Sequence, residues 1–376
     1  MSLQKEGIEI TTIFSESPEK DMWRELLQFT YEANIKRYLQ KQSMDADEET
    51  LNCIIGSFLQ SHAYYKAAKE SNLQIAPLLL YYGSVNLIYG MVNLLNGHII
   101  KIANHGMVIS IPKDMHFISD THVKFLSPND GGVHVAARAL GFNVDLTGFG
   151  DWKLSEFLDS IAEINEDYIQ CYDVQVGRVI MLDCFNTPDG PLEKVYFSDK
   201  NKKSIDELLS DVEDFNTSYL RPVTAKGDQG KNDYLILRHK LNGKDISQIS
   251  YSGQPYLIAG HEKGNRLVTI PTLLNMYISL FILASLCRYY PERWSPFVLQ
   301  DTTGEKLLIE KFLYYSRRLI PNFVLNKIWN DQIQYSTTKY NTINAVKSVS
   351  EHQVQELVDQ KIKEQMGNLY SPFNAL

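Results

Sequence analysis

Between Glu70 and Lys101 the chain carries no Asp, Glu, Lys or Arg, and no other feature of the sequence constrains the fold as strongly. The stretch from Asn72 to Gly97, NLQIAPLLLYYGSVNLIYGMVNLLNG, has one narrow non-apolar seam. Gly83, Asn86, Gly90, Asn93 and Gly97 recur at spacings of 3, 4, 3 and 4 residues, which on a helix sets all five on one side. Leu79, Leu80, Tyr82, Leu87, Val92, Leu94 and Leu95 cover the remainder. Such a helix is expected to be buried nearly all round. Its small residues admit a neighbouring backbone, and Asn86 and Asn93 need hydrogen-bond partners inside the protein.

A second uncharged run, Leu267 to Cys287, lies between Arg266 and Arg288. Both runs are long enough to cross a bilayer. The asparagines of the first, and Pro271, Asn275 and the hydroxyls of the second, argue against insertion because polar groups are costly at the bilayer centre. Two buried helices packed on each other is the simpler reading, so no membrane insertion is expected. A membrane-associated protein is the distant alternative.

The 376 residues, 44% hydrophobic and 22% charged, suit a soluble globular protein of one large or two ordinary domains. A net charge of −8 argues against bulk nucleic-acid binding and leaves room for a local basic patch. Cys53, Cys171, Cys184 and Cys287 are far apart, without a CxxC or a Cys/His metal spacing, so no metal site is expected. Widely spaced thiols suit a reducing cytoplasm. The opening MSLQKEGIEITT lacks the basic and apolar regions of a secretory signal.

Taken in order, Ser17-Pro18-Glu19 starts a helix expected to run to about Leu39, burying Trp23, Leu26, Leu27, Thr30 and Ala33. Asp45–Glu49 opens a second helix with Leu51, Ile55, Phe58, His62 and Tyr65 on one face. From His98 the texture changes. Met107–Ile111, Val123–Leu126, Val174–Leu182 and Lys194–Phe197 read as strands, and Leu154–Ile169 and Ser204–Val212 as helices. Asp233–Leu241, Asn242-Gly243 and Lys244–Tyr251 read as a tight hairpin. Helices return over Pro271–Tyr290 and over Glu305–Leu319, the latter capped by Thr302 or Thr303, and Pro321 allows a short helix to Trp329. A polar tail follows, with an amphipathic stretch at Val354, Leu357, Val358, Ile362 and Met366.

The expected fold class is therefore α+β, mainly α. Both ends of the chain (15–97 and 270–330) form one helical bundle, a β-rich section (98–269) is inserted between them, and 331–376 is the tail. The rival is two independent domains split near residue 150.

Familiar catalytic signatures are missing: there is no GxSxG, HExxH or GxGxxG. Gly227-Asp228-Gln229-Gly230-Lys231 has too few residues between its glycines for a P-loop, and Asn232 stands where Ser or Thr is needed.

Two resemblances bear on the fold. LLLYYGSVNLIYGMVNLL, preceded by SHAYYKAAKESNLQIAP and followed by NHG, resembles the bacterial YaaC-like family, as do SLCRYYPERWSPF and YYSRRLIPNFVL. This covers roughly residues 15–330 and implies an architecture rather than an activity. The same helix is similar to the tyrosine-rich helix of HEPN domains, helical bundles that often act as RNases or toxin partners. HEPN RNases place a His four to six residues after an Arg. No Arg here has one, and Arg238 is followed directly by His239, so the resemblance extends to the bundle alone.

Six side chains remain as candidates. His62, expected to face Asn86 and Asn93 across the seam, is either a hydrogen-bonded core histidine or a proton carrier in a polar pocket. His105 is the part of the turn Asn104-His105-Gly106 that turn chemistry leaves unexplained. Arg288 ends an uncharged helix, as the helix dipole favours, or binds an anion together with Arg293. His62, His105 and Arg288 are thus the catalytic candidates, and Asn86, Asn93 and Arg293 the ligand-binding ones. Arg317 and Arg318, with Tyr314 and Tyr315, read as a solvated helix face. No cofactor is indicated. The leading reading is a cytoplasmic binding or interaction protein with a protein partner or a nucleotide or RNA ligand. The alternative is an enzyme acting on a nucleotide or RNA in a bundle pocket.

Overall fold

The computed structural model describes residues 10–126, 131–143, 145–187, 190–197, 201–226, 233–240 and 243–336. In chain order its helices are α1 (Pro18–Leu26), α2 (Glu32–Lys41), α3 (Glu48–Glu70), α4 (Ala76–Asn96), α5 (Gly132–Ala139), α6 (Leu154–Leu158), α7 (Asn165–Tyr172), α8 (Lys202–Ser210), α9 (Phe215–Ser218), α10 (Thr272–Tyr289), α11 (Pro291–Gln300) and α12 (Glu305–Trp329). The strands form only small sheets, so the fold is mainly helical α+β, as expected.

Residues 10–180, 203–213 and 258–336 make up one compact unit, built on α4. Asp47 caps α3 by accepting from the Thr50 N–H at 2.8 Å. Pro77 sits in the first turn of α4, and Gly97 ends that helix at φ +67°, the left-handed geometry that glycine adopts without strain. The seam works as its spacing suggests. A Cβ on Gly83 would lie 2.7 Å from the Tyr65 ring, and one on Gly90 would lie 3.1 Å from Ser57 Cβ and 3.2 Å from the Phe58 ring. Glycine at these two positions is what lets α3 approach. The close packing is stitched by Ser61 Oγ donating to the Gly83 carbonyl at 2.8 Å and by a 2.8 Å bond between the Tyr65 and Ser84 hydroxyls.

The second uncharged helix, α10, packs directly against α4, and α12 also contacts α4. By length and composition α4 and α10 could each cross a membrane, yet 61% and 83% of their apolar windows are buried inside the fold. That burial is consistent with a soluble protein. The same unit holds the antiparallel sheet Met107–Ser110, His122–Phe125 and Trp152–Lys153, the hairpin His261–Lys263 with Arg266–Val268, and a parallel pair, Ile10–Phe14 with Gln332–Ser336.

Residues 181–202 and 214–257 make up a second compact unit. Its four-stranded sheet runs Asp183–Thr187, Gly190–Phe197, Asp233–Leu237 and Val223–Ala225 in spatial order, all antiparallel.

Several local expectations need correction. The first helix is not continuous to Leu39. Leu27–Thr30 forms a 3-10 turn and Tyr31 is extended at φ −109°, ψ 120°. The break re-phases α2, which buries Ile35, Tyr38 and Leu39 and leaves Ala33 exposed. Leu154–Ile169 is likewise interrupted, because Asp159, Ser160 and Ile161 are buried outside any helix. Of Val174–Leu182 only Val179–Met181 is strand.

Of the hairpin expected across Asn242-Gly243, Leu241 and Asn242 lie outside the described residues, and among those described Asp233–Leu237 and Gln248–Ile249 do not pair with each other. Asp233–Leu237 pairs with Gly190–Phe197 and Val223–Ala225, and His239 bridges to Tyr219 instead. Helix α12 continues through Pro321 to Trp329 rather than ending at Leu319. Helices α5 and α11 were not anticipated. The Gly227–Lys231 loop, Asn242 and the amphipathic stretch of the tail lie outside the described residues.

Candidate functional site

The chain leaving α4 folds back on that helix at Asn104-His105-Gly106. Asn104 Oδ1 accepts from the Gly106 N–H at 2.7 Å, and Gly106 sits at φ +76°. The carbonyls of Asn104 and His105 accept from the N–H groups of Gly132 (2.8 Å) and Val133 (3.1 Å), the first residues of α5. Two glycines make this contact possible, since a Cβ on Gly131 would lie 2.4 Å from Gly106 Cα. The turn is thus clamped from both sides, and the His105 ring is held at the surface.

The ring is also held from beneath. His105 Nδ1 lies 2.8 Å from the Tyr81 hydroxyl, and the ring packs beside Phe281 at 5.8 Å. Tyr81 in turn packs against Tyr277 of α10, with ring centroids 5.7 Å apart. Both phenols are buried, and burial pushes Tyr277 up to about 12 and Tyr81 higher still, so both stay protonated. The line Tyr277–Tyr81–His105 links the two uncharged helices to one exposed imidazole.

Arg288, at the end of α10, completes the cluster. Its Nη1 donates to the Tyr82 hydroxyl at 2.5 Å and its guanidinium lies over Tyr289 at 4.9 Å, while Tyr64 of α3 stacks beside Tyr82 at 6.0 Å. No acid among the described residues pairs with it. Burial, and second the Arg288 charge, hold the His105 imidazole below the usual histidine range, so it is neutral at neutral pH. An uncompensated guanidinium, a neutral imidazole, the exposed Tyr289 ring and the half-buried Tyr82 and Tyr64 rings can together bind an anion and stack a flat group.

His105 and Arg288 are held by the adjacent tyrosines Tyr81 and Tyr82 of α4, and the other candidates lie apart. His62 does not meet Asn86 or Asn93. Its half-buried ring lies 5.0 Å from Trp23, in a groove formed by α1, the following turn and α3. Asn86 donates to the Tyr82 carbonyl of its own helix at 2.9 Å. Asn93, fully buried, accepts from the Ile100 N–H at 2.9 Å and donates to Cys53 Sγ at 3.4 Å. The expected His62–Asn86–Asn93 pocket is therefore corrected, because each asparagine is satisfied locally. Arg293 is exposed on the first turn of α11. Arg317 and Arg318 lie against Tyr314 at 5.5 and 5.9 Å.

Sequence reasoning read Tyr82 only as apolar cover and did not single out Tyr81, Tyr277 or Phe281. The usable signal was chemical: a phenol on a helix buried all round must find a partner for its hydroxyl.

A second polar cluster resembles a catalytic triad in composition only. Ser160 Oγ lies 3.2 Å and Asp159 Oδ1 3.0 Å from His261, both at Nε2, and Ser160 also donates to Asp159 at 2.9 Å. A relay needs the hydroxyl and the carboxylate on opposite ring nitrogens. All three residues are buried, so the cluster is structural. Glu305 is also structural. Its buried carboxylate accepts from the N–H groups of Ile118 (2.6 Å) and Ser119 (2.9 Å) and from the Tyr172 hydroxyl (2.7 Å).

Fold and site together define a mainly helical α+β protein with an exposed histidine–arginine pair on a tyrosine platform. The chain matches the family model described as YaaC-like Protein over residues 14–328, and it belongs to that family. No curated protein and no solved structure matches it significantly.

Proposed function

We propose that this YaaC-like chain is a binding protein whose ligand carries a phosphate and a flat ring, as a nucleotide does, and that Arg288 and His105 receive it. One observation carries the reading: an arginine with no acidic partner among the described residues and a neutral histidine are held by adjacent tyrosines of α4, with the half-buried Tyr82 and Tyr64 rings and the exposed Tyr289 around the arginine. Arg288 meets the phosphate with its free N–H groups, and His105 Nε2 adds one hydrogen bond. Tyr82, Tyr64 and Tyr289 offer faces for stacking. The same reading takes the two ends of the chain as one HEPN-like bundle in a bacterial cytoplasm. The contacts of α4 with α10 and α12 support the bundle, and the free thiols suit the compartment.

The enzymatic alternative draws on the Tyr81–His105 contact, which orients a neutral imidazole as a general base toward such a ligand. Mass spectrometry of small molecules and RNA released from the natively purified protein tests both. A nucleotide released from the wild type and lost from Arg288→Ala supports the site. Release of no nucleotide from the wild type overturns it. Under the enzymatic alternative, His105→Gln keeps the ligand and loses its conversion.

A further inference from the structure

The groove that holds His62 shares no residue with the His105–Arg288 cluster. It encloses about 620 Å³, a volume suited to a small molecule. The rings of Trp23, His62 and Tyr65 line its inner side, with Trp23 5.0 Å from each of the other two, and Tyr31 stands 66% exposed among the lining residues. Among the described residues neither nitrogen of His62 has a hydrogen-bond partner.

Its charges are unbalanced in one direction. Glu19 is engaged by Lys69 at 3.3 Å. Asp21 is engaged by Arg24 at 3.3 Å and by the Ser15 hydroxyl at 2.5 Å. Lys20 and Lys66 have no acidic partner among the described residues. The acids of the groove are thus committed while two ammonium groups are free. Burial, and second the Lys66 charge, hold His62 below the usual histidine range, so it stays neutral and presents one donor and one acceptor.

We infer that this groove is a second ligand site, for a small anion built on a flat ring, such as an aromatic carboxylate, sulfonate or phosphate. The ring lies against Trp23 and His62, and Lys20 and Lys66 meet the anion. Charge complementarity selects this occupant, because a neutral or cationic ring would leave both ammonium groups unmatched.

Titration of the full chain with the fluorescent probe 1-anilinonaphthalene-8-sulfonate tests the assignment, with the uncharged N-phenyl-1-naphthylamine as control. Saturable binding of the sulfonate is expected, weakened about tenfold by Lys66→Glu or Lys20→Glu, the scale of one lost charge-assisted hydrogen bond. Arg288→Ala should leave it unchanged, which separates this site from the nucleotide site. Lys20 and Lys66 are both exposed, so neither substitution disturbs the core. Equal binding of the uncharged probe would overturn the inference. So would sulfonate binding that survives both lysine substitutions, or no binding at all.

Discussion

The Tyr81 hydroxyl lies 2.8 Å from Nδ1 of His105, and this contact ties the turn after α4 back to the face of α4 that α10 covers. The Tyr81 side chain is buried, and Tyr81→Phe removes its hydrogen bond to His105. One intramolecular hydrogen bond contributes about 0.5–1.5 kcal/mol. Tyr81→Phe is therefore expected to lower unfolding free energy in urea by about that amount. Tyr277→Phe leaves the Tyr81–His105 contact in place and should cost less. Equal losses from the two substitutions would show that the contact with His105 adds no stability of its own.

The direction of the His105 shift fixes a pH dependence. Its folded-state affinity for a proton is lower than in the unfolded chain, because of burial and then Arg288. The unfolded chain therefore takes up the proton first as pH falls through the ordinary histidine range near 6.5. The stabilising contribution is complete above that range and is lost as pH falls through the lower folded-state value. His62 acts in the same sense, through burial and then Lys66. Urea unfolding at pH 7.5 and 5.5 should show a smaller acid-induced loss for His105→Gln than for the wild type. An equal loss in both proteins would mean that His105 titrates normally.

The sequence disclosed the helical core because its signals there are covalent in origin. Gly83 and Gly90 lie where α3 comes within van der Waals reach, and their spacing was visible along the chain. Arg288 and the turn at His105 were also visible, since neither is explained by hydropathy. Their placement was not visible, because it depends on the Tyr81 and Tyr82 hydroxyls of α4, and hydropathy periodicity describes burial and not hydroxyl geometry. His62 was placed wrongly for a related reason. Ser61 and Tyr65 are the α3 residues bonded to α4, while the His62 ring meets Trp23 of α1, and the apolar spacing along α3 does not tell these two faces apart. Asp233–Leu237 does not pair with Gln248–Ile249 because both of its edges are taken, one by Gly190–Phe197 and the other by Val223–Ala225.

Two glycines in the same helix pair should respond in opposite ways. Gly90→Leu must displace Ser57 or Phe58, whose atoms lie 3.1 and 3.2 Å from the new Cβ, and should destabilise the fold by ~2 kcal/mol or more. Gly56, inside α3, has no neighbouring atom within 4 Å of the point where a Cβ would stand, so Gly56→Ala gains helix propensity without a clash. It should stabilise by about 0.5–1 kcal/mol. Thermal unfolding of both variants checks the pair, and a tolerated Gly90→Leu would mean that α3 does not press on the seam.

The two seam asparagines offer the sharpest separation between a structural and a ligand-binding seam. Asn93 is fully buried, and its carbonyl oxygen accepts the Ile100 N–H at 2.9 Å just after the helix ends. Asn93→Ala leaves that N–H without its partner and opens a small void beside Cys53, so a loss of about 2–3 kcal/mol is expected. Asn86 is half-buried, and its amide only doubles a hydrogen bond to the Tyr82 carbonyl on its own helix. Asn86→Ala should therefore fall within about 0.5 kcal/mol of the wild type, with better helix propensity offsetting the lost bond. Neither substitution should change nucleotide release or sulfonate binding, because neither amide reaches Arg288 or the His62 groove. Ligand loss from a stably folded Asn86→Ala protein would make the seam a binding surface after all.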